Sequence, residues 1–449
     1  MTFQDLNLNT PLLNALEDLK FQTPTPIQEQ AFSSIMSGKD VVGIAQTGTG
    51  KTFAYMLPIL RMLKYSEQKN PRVLVMVPTR ELAVQVAEEI EKLTKYINTR
   101  VVAIYGGVNI NTQHQDLLQG TDIVVATPGR LYDLVLRRAL QLKSIQKLVI
   151  DEVDVMLDLG FRFQIINILE LLPNNRQSIM FSATMTEAVE ELIDENFKSP
   201  EKISVAISGT PLENIEQRGF HIPNFHTKVN FLRKLLKDKE TFSRVLIFVA
   251  YKRLADRLFE MLAEEFPEEC TVIHSNKSQN YRLRSIRQFS DGFCRVLVAT
   301  DVMARGLDIE SVSHVINFDT PEYPENYMHR IGRTGRAEKP GISIVLSTEK
   351  ETENLEKIEN LMDMKVPQFD LPEDVEISTV LIPEEQPKIV EINNPGNRKN
   401  EDAPGPAFHE KSELNQKVNQ GGSYRREIAK KYSKPKTKGD KHANRRRKK

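Results

Sequence analysis

Lys147-Leu148-Val149-Ile150-Asp151-Glu152-Val153-Asp154 is the stretch that decides the fold. Its first four residues read as a buried parallel strand, and two carboxylates then stand together at the strand's carboxyl end. Open α/β sheets place their ligands there. Paired carboxylates at such a point hold a divalent metal or activate a water. Taken alone, they could equally be two solvated acids at a strand end. The choice turns on whether the chain offers a phosphate for them, and Gly48-Thr49-Gly50-Lys51-Thr52 upstream does so.

Working outward, Val/Ile-rich runs at 41–45, 73–77, 101–105, 123–126, 148–151 and 178–182 lack strict alternation, which predicts strands covered on both faces. Helical stretches lie between them; 81–96 carries Leu82, Val86, Ile90 and Leu93 on one face. This is a βαβ series and hence a parallel sheet. The series pauses near 204–216, where Ser208-Gly209-Thr210-Pro211 reads as a linker. A second series follows at 245–249, 271–274, 296–299, 314–318 and 343–346. The expected class is α/β: a first domain over 1–207, a linker over 208–216 and a second domain over 217–366, each a parallel sheet covered by helices. From 367 to 449, Pro, Glu, Asn and Lys dominate without a period, which predicts a disordered tail.

The 449 residues and 40% hydrophobic content suit a globular protein of more than one domain. No apolar run approaches the ~20 residues that span a bilayer. Met1-Thr2-Phe3-Gln4-Asp5 has neither the basic start nor the apolar core of a secretory signal. The two cysteines, Cys270 and Cys294, lack metal-like spacing and read as buried free thiols in a reducing compartment, so a cytoplasmic location is expected. A net charge of zero hides an asymmetry. Residues 423–449 hold thirteen Lys/Arg against two Asp/Glu, net +11, which leaves 48 against 59, net −11, for the rest. Such a tail suggests either a polyanion partner or a solubilising end. Tyr424 and Tyr432 could stack on bases between its cations.

Ala45-Gln46-Thr47-Gly48-Thr49-Gly50-Lys51-Thr52 follows a predicted strand and opens a predicted helix. Glycines let backbone N–H groups curl around phosphate oxygens, and the helix N-terminus adds its dipole. Lys51 can reach the β- and γ-phosphates and Thr52 can offer its hydroxyl to Mg²⁺. The general P-loop pattern has Gly where Ala45 stands, so a Gly-rich structural turn is the alternative. With a nucleotide present, Asp151 would hold Mg²⁺ and Glu152 would orient and deprotonate the attacking water. Downstream, His329-Arg330-Ile331-Gly332-Arg333-Thr334-Gly335-Arg336 spaces three arginines three residues apart. A guanidinium suits phosphate oxygens bidentately, though a helix-end basic patch would have the same spacing.

The order of these motifs resembles the DEAD-box RNA helicases of helicase superfamily two, over residues 3–346. The resemblance implies two RecA-like domains. Phe21 and Gln28, in Phe21-Gln22-Thr23-Pro24-Thr25-Pro26-Ile27-Gln28, look like the family's Q motif, with Phe21 stacking on adenine and Gln28 bonding its edge; ATP rather than GTP follows. Pro78-Thr79-Arg80-Glu81-Leu82-Ala83, Gly106-Gly107 and Thr127-Pro128-Gly129-Arg130 look like RNA-backbone motifs. Ser182-Ala183-Thr184, with Asp154, looks like the element coupling hydrolysis to strand separation. Gln279, Arg282, Thr300, Arg305 and Gly306 look like further RNA contacts, and Asp308 like a ribose contact. Arg333 and Arg336 would be arginine fingers, with His329 bridging the domains.

Four positions depart from the family pattern: Val153 for Ala, Lys20 for Gly, Ser275-Asn276 for Gly-Asp after His274, and Thr186 for Pro. Val153 is expected to turn its side chain into a sheet face, away from phosphate. The RNA set offers groups that fit phosphate and sugar, so binding should be sequence-tolerant. The expected function is an ATP-dependent RNA helicase that uses ATP and Mg²⁺, binds RNA rather than DNA, touches no membrane, and acts on ribosomal precursors or with RNA-decay factors. A non-hydrolysing ATP-gated RNA clamp and a DNA-directed helicase are the alternatives.

Overall fold

The computed structural model describes residues 1–45, 48–204, 214–301, 312–335 and 340–386. Two seven-stranded parallel sheets make up the described chain. The first contains β1 (Val41–Ile44), β2 (Val73–Met76), β3 (Val101–Ile104), β4 (Ile123–Ala126), β5 (Lys147–Ile150), β6 (Gln177–Ser182) and β7 (Glu201–Ser204), in the order β3-β4-β2-β5-β6-β1-β7. The second contains β8 (Ile215–His221), β9 (Val245–Phe248), β10 (Cys270–Ile273), β11 (Val296–Ala299), β12 (His314–Asn317), β13 (Gly341–Ser347) and β14 (Gln368–Phe369), in the order β10-β11-β9-β12-β13-β8-β14. Counted within each sheet, both orders are the same. The chain builds one topology twice, as the expected RecA-like pair requires.

Apolar runs without alternation become central strands because both faces are covered. Val73 and Val75 of β2 enter one core cluster with Leu12, Tyr55 and Ile90. Leu74 and Met76 enter the opposite cluster with Leu131, Ile165 and Leu192. Each such side chain contributes roughly 1.5–3 kcal/mol by leaving water. Strands with that signature were legible in the sequence. β7, β8 and β14 were not: β7 and β8 alternate buried with exposed or half-buried positions, and both residues of β14 are exposed.

Three expectations need correction or limitation. Chain order does not end near residue 367: β14 pairs with β8, and Val375 and Ile382 enter the core with Phe225 and Val229. Packed residues are described as far as Gln386. The linker over 208–216 lies largely outside the described residues, but Ile215 and Glu216 already belong to β8. The tail from 387, with its basic run at 423–449, also lies outside them. Val153 is fully buried as expected, but it starts the helix Val153–Asp158 rather than extending a strand. It packs with Ile150 and Met156, so its methyl groups fill core and do not face the phosphate side.

Candidate functional site

Three neighbouring strands deliver the candidate nucleotide site. β1 leads into the glycine loop, β6 ends in Ser182, and β5 leads into Asp151; their order in the sheet is β5-β6-β1. Gly48 and Gly50 have φ of 82° and 84°, the left-handed region that glycine alone enters without cost. Gly50 then opens the helix Lys51–Met62. A Cβ on Gly50 would stand 2.4 Å from Gln28 Nε2. Gln28 is buried against this loop: its Nε2 donates to the Gly50 carbonyl (3.1 Å), and its Oε1 accepts from Thr25 N (3.0 Å). Thr25 Oγ1 donates to the Thr49 carbonyl (2.8 Å). The helix Pro26–Met36 therefore clamps the phosphate loop through its first turn, a role beyond the expected base contact. Phe21 packs edge-on against Phe53 (5.2 Å) and leaves 49% of itself exposed, which is the state of an available platform.

Lys51, Asp151 and Glu152 are all buried at one point. Lys51 Nζ lies 3.8 Å from Asp151 Oδ1, and Asp151 Oδ2 accepts from the Tyr55 hydroxyl (3.1 Å). Burial pushes the Asp151 carboxyl up, against the pull of Lys51 and Tyr55. Burial also raises Glu152, against Lys51 and then Arg333. Glu152 holds φ 52°, a strained position for a non-glycine residue, at the cap of the helix Val153–Asp158. Lys51 Nζ and Glu152 Oε2 are buried without a hydrogen-bond partner. A buried cation and a buried carboxylate oxygen without hydrogen bonds fit a site made for a polyphosphate and its attacking water. Thr52 and Asp151 are a hydroxyl and a carboxylate that could hold a divalent cation. No group of three or more His, Cys, Asp or Glu among the described residues could hold a metal by itself. A small oxygen donor set completed by phosphate oxygens is the arrangement Mg²⁺ takes.

Asp154 joins the coupling residues. Its Oδ2 accepts from Ala183 N (3.1 Å), Thr184 N (2.9 Å) and Thr184 Oγ1 (2.9 Å), while the Ser182 hydroxyl donates to the Thr184 carbonyl (2.7 Å). His329 Nε2, from the second sheet's side, lies 3.6 Å from the same Oδ2. Burial opposes ionisation of Asp154, but His329, Lys51 and the Thr184 bonds hold it below the usual carboxylate range. Arg333 is buried and acts on Glu152. The predicted trio of arginines divides here. Arg330 Nε and Nη2 grip Asp301 (2.5 and 2.8 Å), and Nη1 donates to Asn317 Oδ1 and the Asp319 carbonyl. It braces the helix Pro324–Ile331 that carries His329. Gln46, Thr47, Arg305, Gly306, Asp308 and Arg336 lie outside the described residues.

The predicted RNA motifs follow the three other strand ends of the first sheet, in the order β3-β4-β2. Thr79 Oγ1 caps the helix Arg80–Leu93 by accepting from Leu82 N (3.2 Å). Thr127 caps the helix Pro128–Leu136, which includes Gly129. Two helix N-termini thus lie beside Pro78 and Arg80. Gly107 has φ 81°, and a Cβ there would meet Arg80 Nη1 at 1.9 Å. Arg130 bonds Gln113 Oε1 (2.9 Å) and the Val108 carbonyl (3.0 Å). In the second sheet, Thr300 follows β11. Gln279 and Arg282 lie on the helix Gln279–Ser290, and both reach Glu81 Oε1 of the first (3.1 and 3.4 Å). Buried Glu81 and Tyr55 contact the candidate site residues although the sequence reading assigns them no role of their own. Tyr55 had a signal, since it follows Lys51 by one helical turn; Glu81 had none beyond its motif.

Comparisons with known proteins agree with this geometry. The DEAD/DEAH box helicase family matches residues 25–192, and the family described as helicase conserved C-terminal domain matches residues 227–338. The chain is 40% identical over 372 residues to the DEAD-box ATP-dependent RNA helicase CshA of Bacillus cereus, covering 83% of this chain and 70% of that protein. It is 39% identical to the DEAD-box ATP-dependent RNA helicase RhpA of Helicobacter pylori, covering 83% and 74%. Its fold superposes on S. cerevisiae Dbp5 bound to RNA and ADP BeF3 with a TM-score of 0.74 at 29% identity, over 82% of this chain and 95% of that one.

Proposed function

The chain belongs to the DEAD-box family of ATP-dependent RNA helicases, and from that premise we propose how its residues divide the work. It is an RNA-stimulated ATPase and helicase. The observation that supports the division is that His329 stands 3.6 Å from Asp154 and the Arg333 charge acts on Glu152, beside the buried Lys51–Asp151 pair.

Phe21 stacks on adenine and Gln28 selects it. The amides from Ala45 through Thr49, with Gln46 and Thr47 among them, wrap the phosphates that Lys51 neutralises. Asp308 takes the ribose. Thr52 and Asp151 would hold Mg²⁺, whose chemistry when bound is to neutralise phosphate charge and align its oxygens. Glu152 orients the attacking water and accepts its proton as the water oxygen bonds to the γ-phosphorus and the bond from that phosphorus to the β–γ bridging oxygen breaks, releasing ADP. Arg333 and Arg336 stabilise charge on the transferring phosphoryl group, a contribution of roughly 10³–10⁵ in rate for an arginine so placed. Asp154 ties this chemistry to Ser182-Ala183-Thr184 and, through His329, to closure. RNA lies on Pro78, Thr79, Arg80, Gly107, Thr127, Pro128, Gly129 and Arg130, and then on Gln279, Arg282, Thr300, Arg305 and Gly306. Closure bends one strand and loosens a short duplex, and hydrolysis reopens the cleft.

Sequence-tolerant backbone binding suits structured RNAs such as ribosomal precursors, or RNA-decay assemblies, and the tail over 423–449 acts as an RNA anchor. Two buried free thiols, Cys270 pushed up to about 12 by burial, suit a cytoplasmic location. No helix among the described residues is long and apolar enough to cross a membrane.

Phosphate release with and without RNA tests these roles. Wild type should hydrolyse ATP faster with RNA than with DNA. Glu152→Gln should lose about 10²–10⁴-fold, the scale of a positioned acid–base group. Arg333→Ala should bind ATP and lose most turnover. Glu152→Gln turning over like wild type removes the base from Glu152. No release by wild type at all leaves an ATP-gated clamp.

A further inference from the structure

The repeated topology makes the two sheets comparable position by position. The strand trio β3-β4-β2, whose ends carry the first sheet's RNA motifs, corresponds to β10-β11-β9 in the second. Thr79 stands three residues beyond the last residue of β2 and caps a 14-residue helix, Arg80–Leu93. Tyr251 stands three residues beyond the last residue of β9, at the N-cap position of a 14-residue helix, Lys252–Glu265, but makes no side-chain cap bond. So Tyr251 and Lys252 occupy the places of Thr79 and Arg80. Tyr251 is 67% exposed, although a ring at that point could have been replaced by a small cap.

Its neighbours are cationic. Lys252 and Arg253 are exposed, and Lys252 Nζ donates to Asn276 Oδ1 (3.0 Å), joining the loop after β9 to the loop after β10. Thr300 follows β11, the strand between those two. On the far side Lys277 Nζ and the Arg284 guanidinium both stand 5.5 Å from the ring centre of Tyr281. Two acids stand here among the described residues: Asp256 accepts from His274 (2.8 Å) and pairs with Lys277 (2.8 Å), and Asp319 accepts from Ala250 N (2.8 Å) next to Tyr251. Cations interleaved with exposed rings along a track are how single strands are held without sequence preference. Ser275-Asn276, the departure from Gly-Asp, removes an acid from this stripe.

We propose that these three loop ends form a nucleobase-stacking subsite: Tyr251 takes the face of one unpaired RNA base, and Lys252, Lys277 and Arg284 hold the phosphates beside it. This rests on the RNA reading of Thr300 and Gln279, and adds a base contact to a track otherwise built for backbone.

Single-stranded RNAs carrying one 2-aminopurine at each position in turn test it, with full-length protein and a non-hydrolysable ATP analogue. One position should report stacking, and Tyr251→Ala should abolish that signal and weaken binding about 10-fold, the scale of one base–aromatic stack. Tyr251→Phe should keep both. Lys277→Ala should lower the salt slope of binding by about one, while Tyr251→Ala leaves the slope as it was. Unchanged affinity and an unchanged 2-aminopurine signal in Tyr251→Ala overturn the subsite. A wild type that neither binds RNA nor gains ATPase from it would instead overturn the reading beneath.

Discussion

In the proposed mechanism Glu152 concentrates the cost of catalysis in one residue. It is buried, strained at φ 52°, and burial raises its carboxyl above the usual range. A base must be ionised, so the acid limb of the ATPase rate should lie above the ordinary carboxylate range; a limb at or below that range would place the base elsewhere. The linkage sign follows from the same shift. The native protein binds more protons at Glu152 than the unfolded chain, so its contribution to stability falls as pH rises through the ordinary carboxylate range to the raised native value. Glu152→Gln should therefore melt higher than wild type at pH 8 while losing turnover, and a lower melting point would contradict the burial argument. Lys51, Asp151 and Glu152 were legible because each motif is contiguous and its chemistry follows from residue type. Tyr55 and Glu81 were not, because their partners stand 96 and 198 residues away. The bracing role of Arg330 was not legible because spacing says nothing of where Asp301 waits.

At the level of elements, legibility followed burial on both faces. β2, β4 and β9 announce themselves as apolar runs buried on both faces, whereas β7 and β14 are edge strands with exposed positions that form because a neighbour offers its backbone. The segment after β14 shows what composition hides. Asn224 Nδ2 donates to the Ser378 carbonyl (2.5 Å), Ser378 N donates to Thr227 Oγ1 (3.0 Å), and Phe225 N donates to Glu385 Oε1 (2.6 Å). Val375 and Ile382 then close over the helix Phe225–Lys237. Ending the chain after residue 366 should thus destabilise the second sheet's half by about 3 kcal/mol or more, from two buried side chains at roughly 1.5–3 kcal/mol each. Ending it after residue 386 should leave urea unfolding unchanged. Equal midpoints for the two truncations would show that the segment contributes nothing.

The whole molecule holds two copies of one topology, and among the described residues three chemically distinct sets of contacts between them bear on the proposed mechanism. His329 meets Asp154, the Arg333 charge acts on Glu152, and Gln279 with Arg282 meets Glu81. The tandem sheets were legible because the βαβ pattern recurs; the pairing between halves was not, because no local pattern encodes a contact across hundreds of residues. Glu81 is nearly inaccessible, and burial depresses the Arg282 guanidinium, so this pair is dry. Desolvated charge pairs across an interface couple by about 1.5–7 kcal/mol, and removal of one member strands the other. Glu81→Gln and Arg282→Met, singly and together, should each raise the RNA concentration needed for half-maximal ATPase, and the double variant should fall well short of the product of the two. The coupling should vanish when nucleotide binding is measured without RNA, where closure is not demanded. If the two effects simply multiply, the Glu81–Arg282 contact does not hold the halves together. Closure would then rest on the His329–Asp154 contact, and a cycle on that pair should carry the coupling instead.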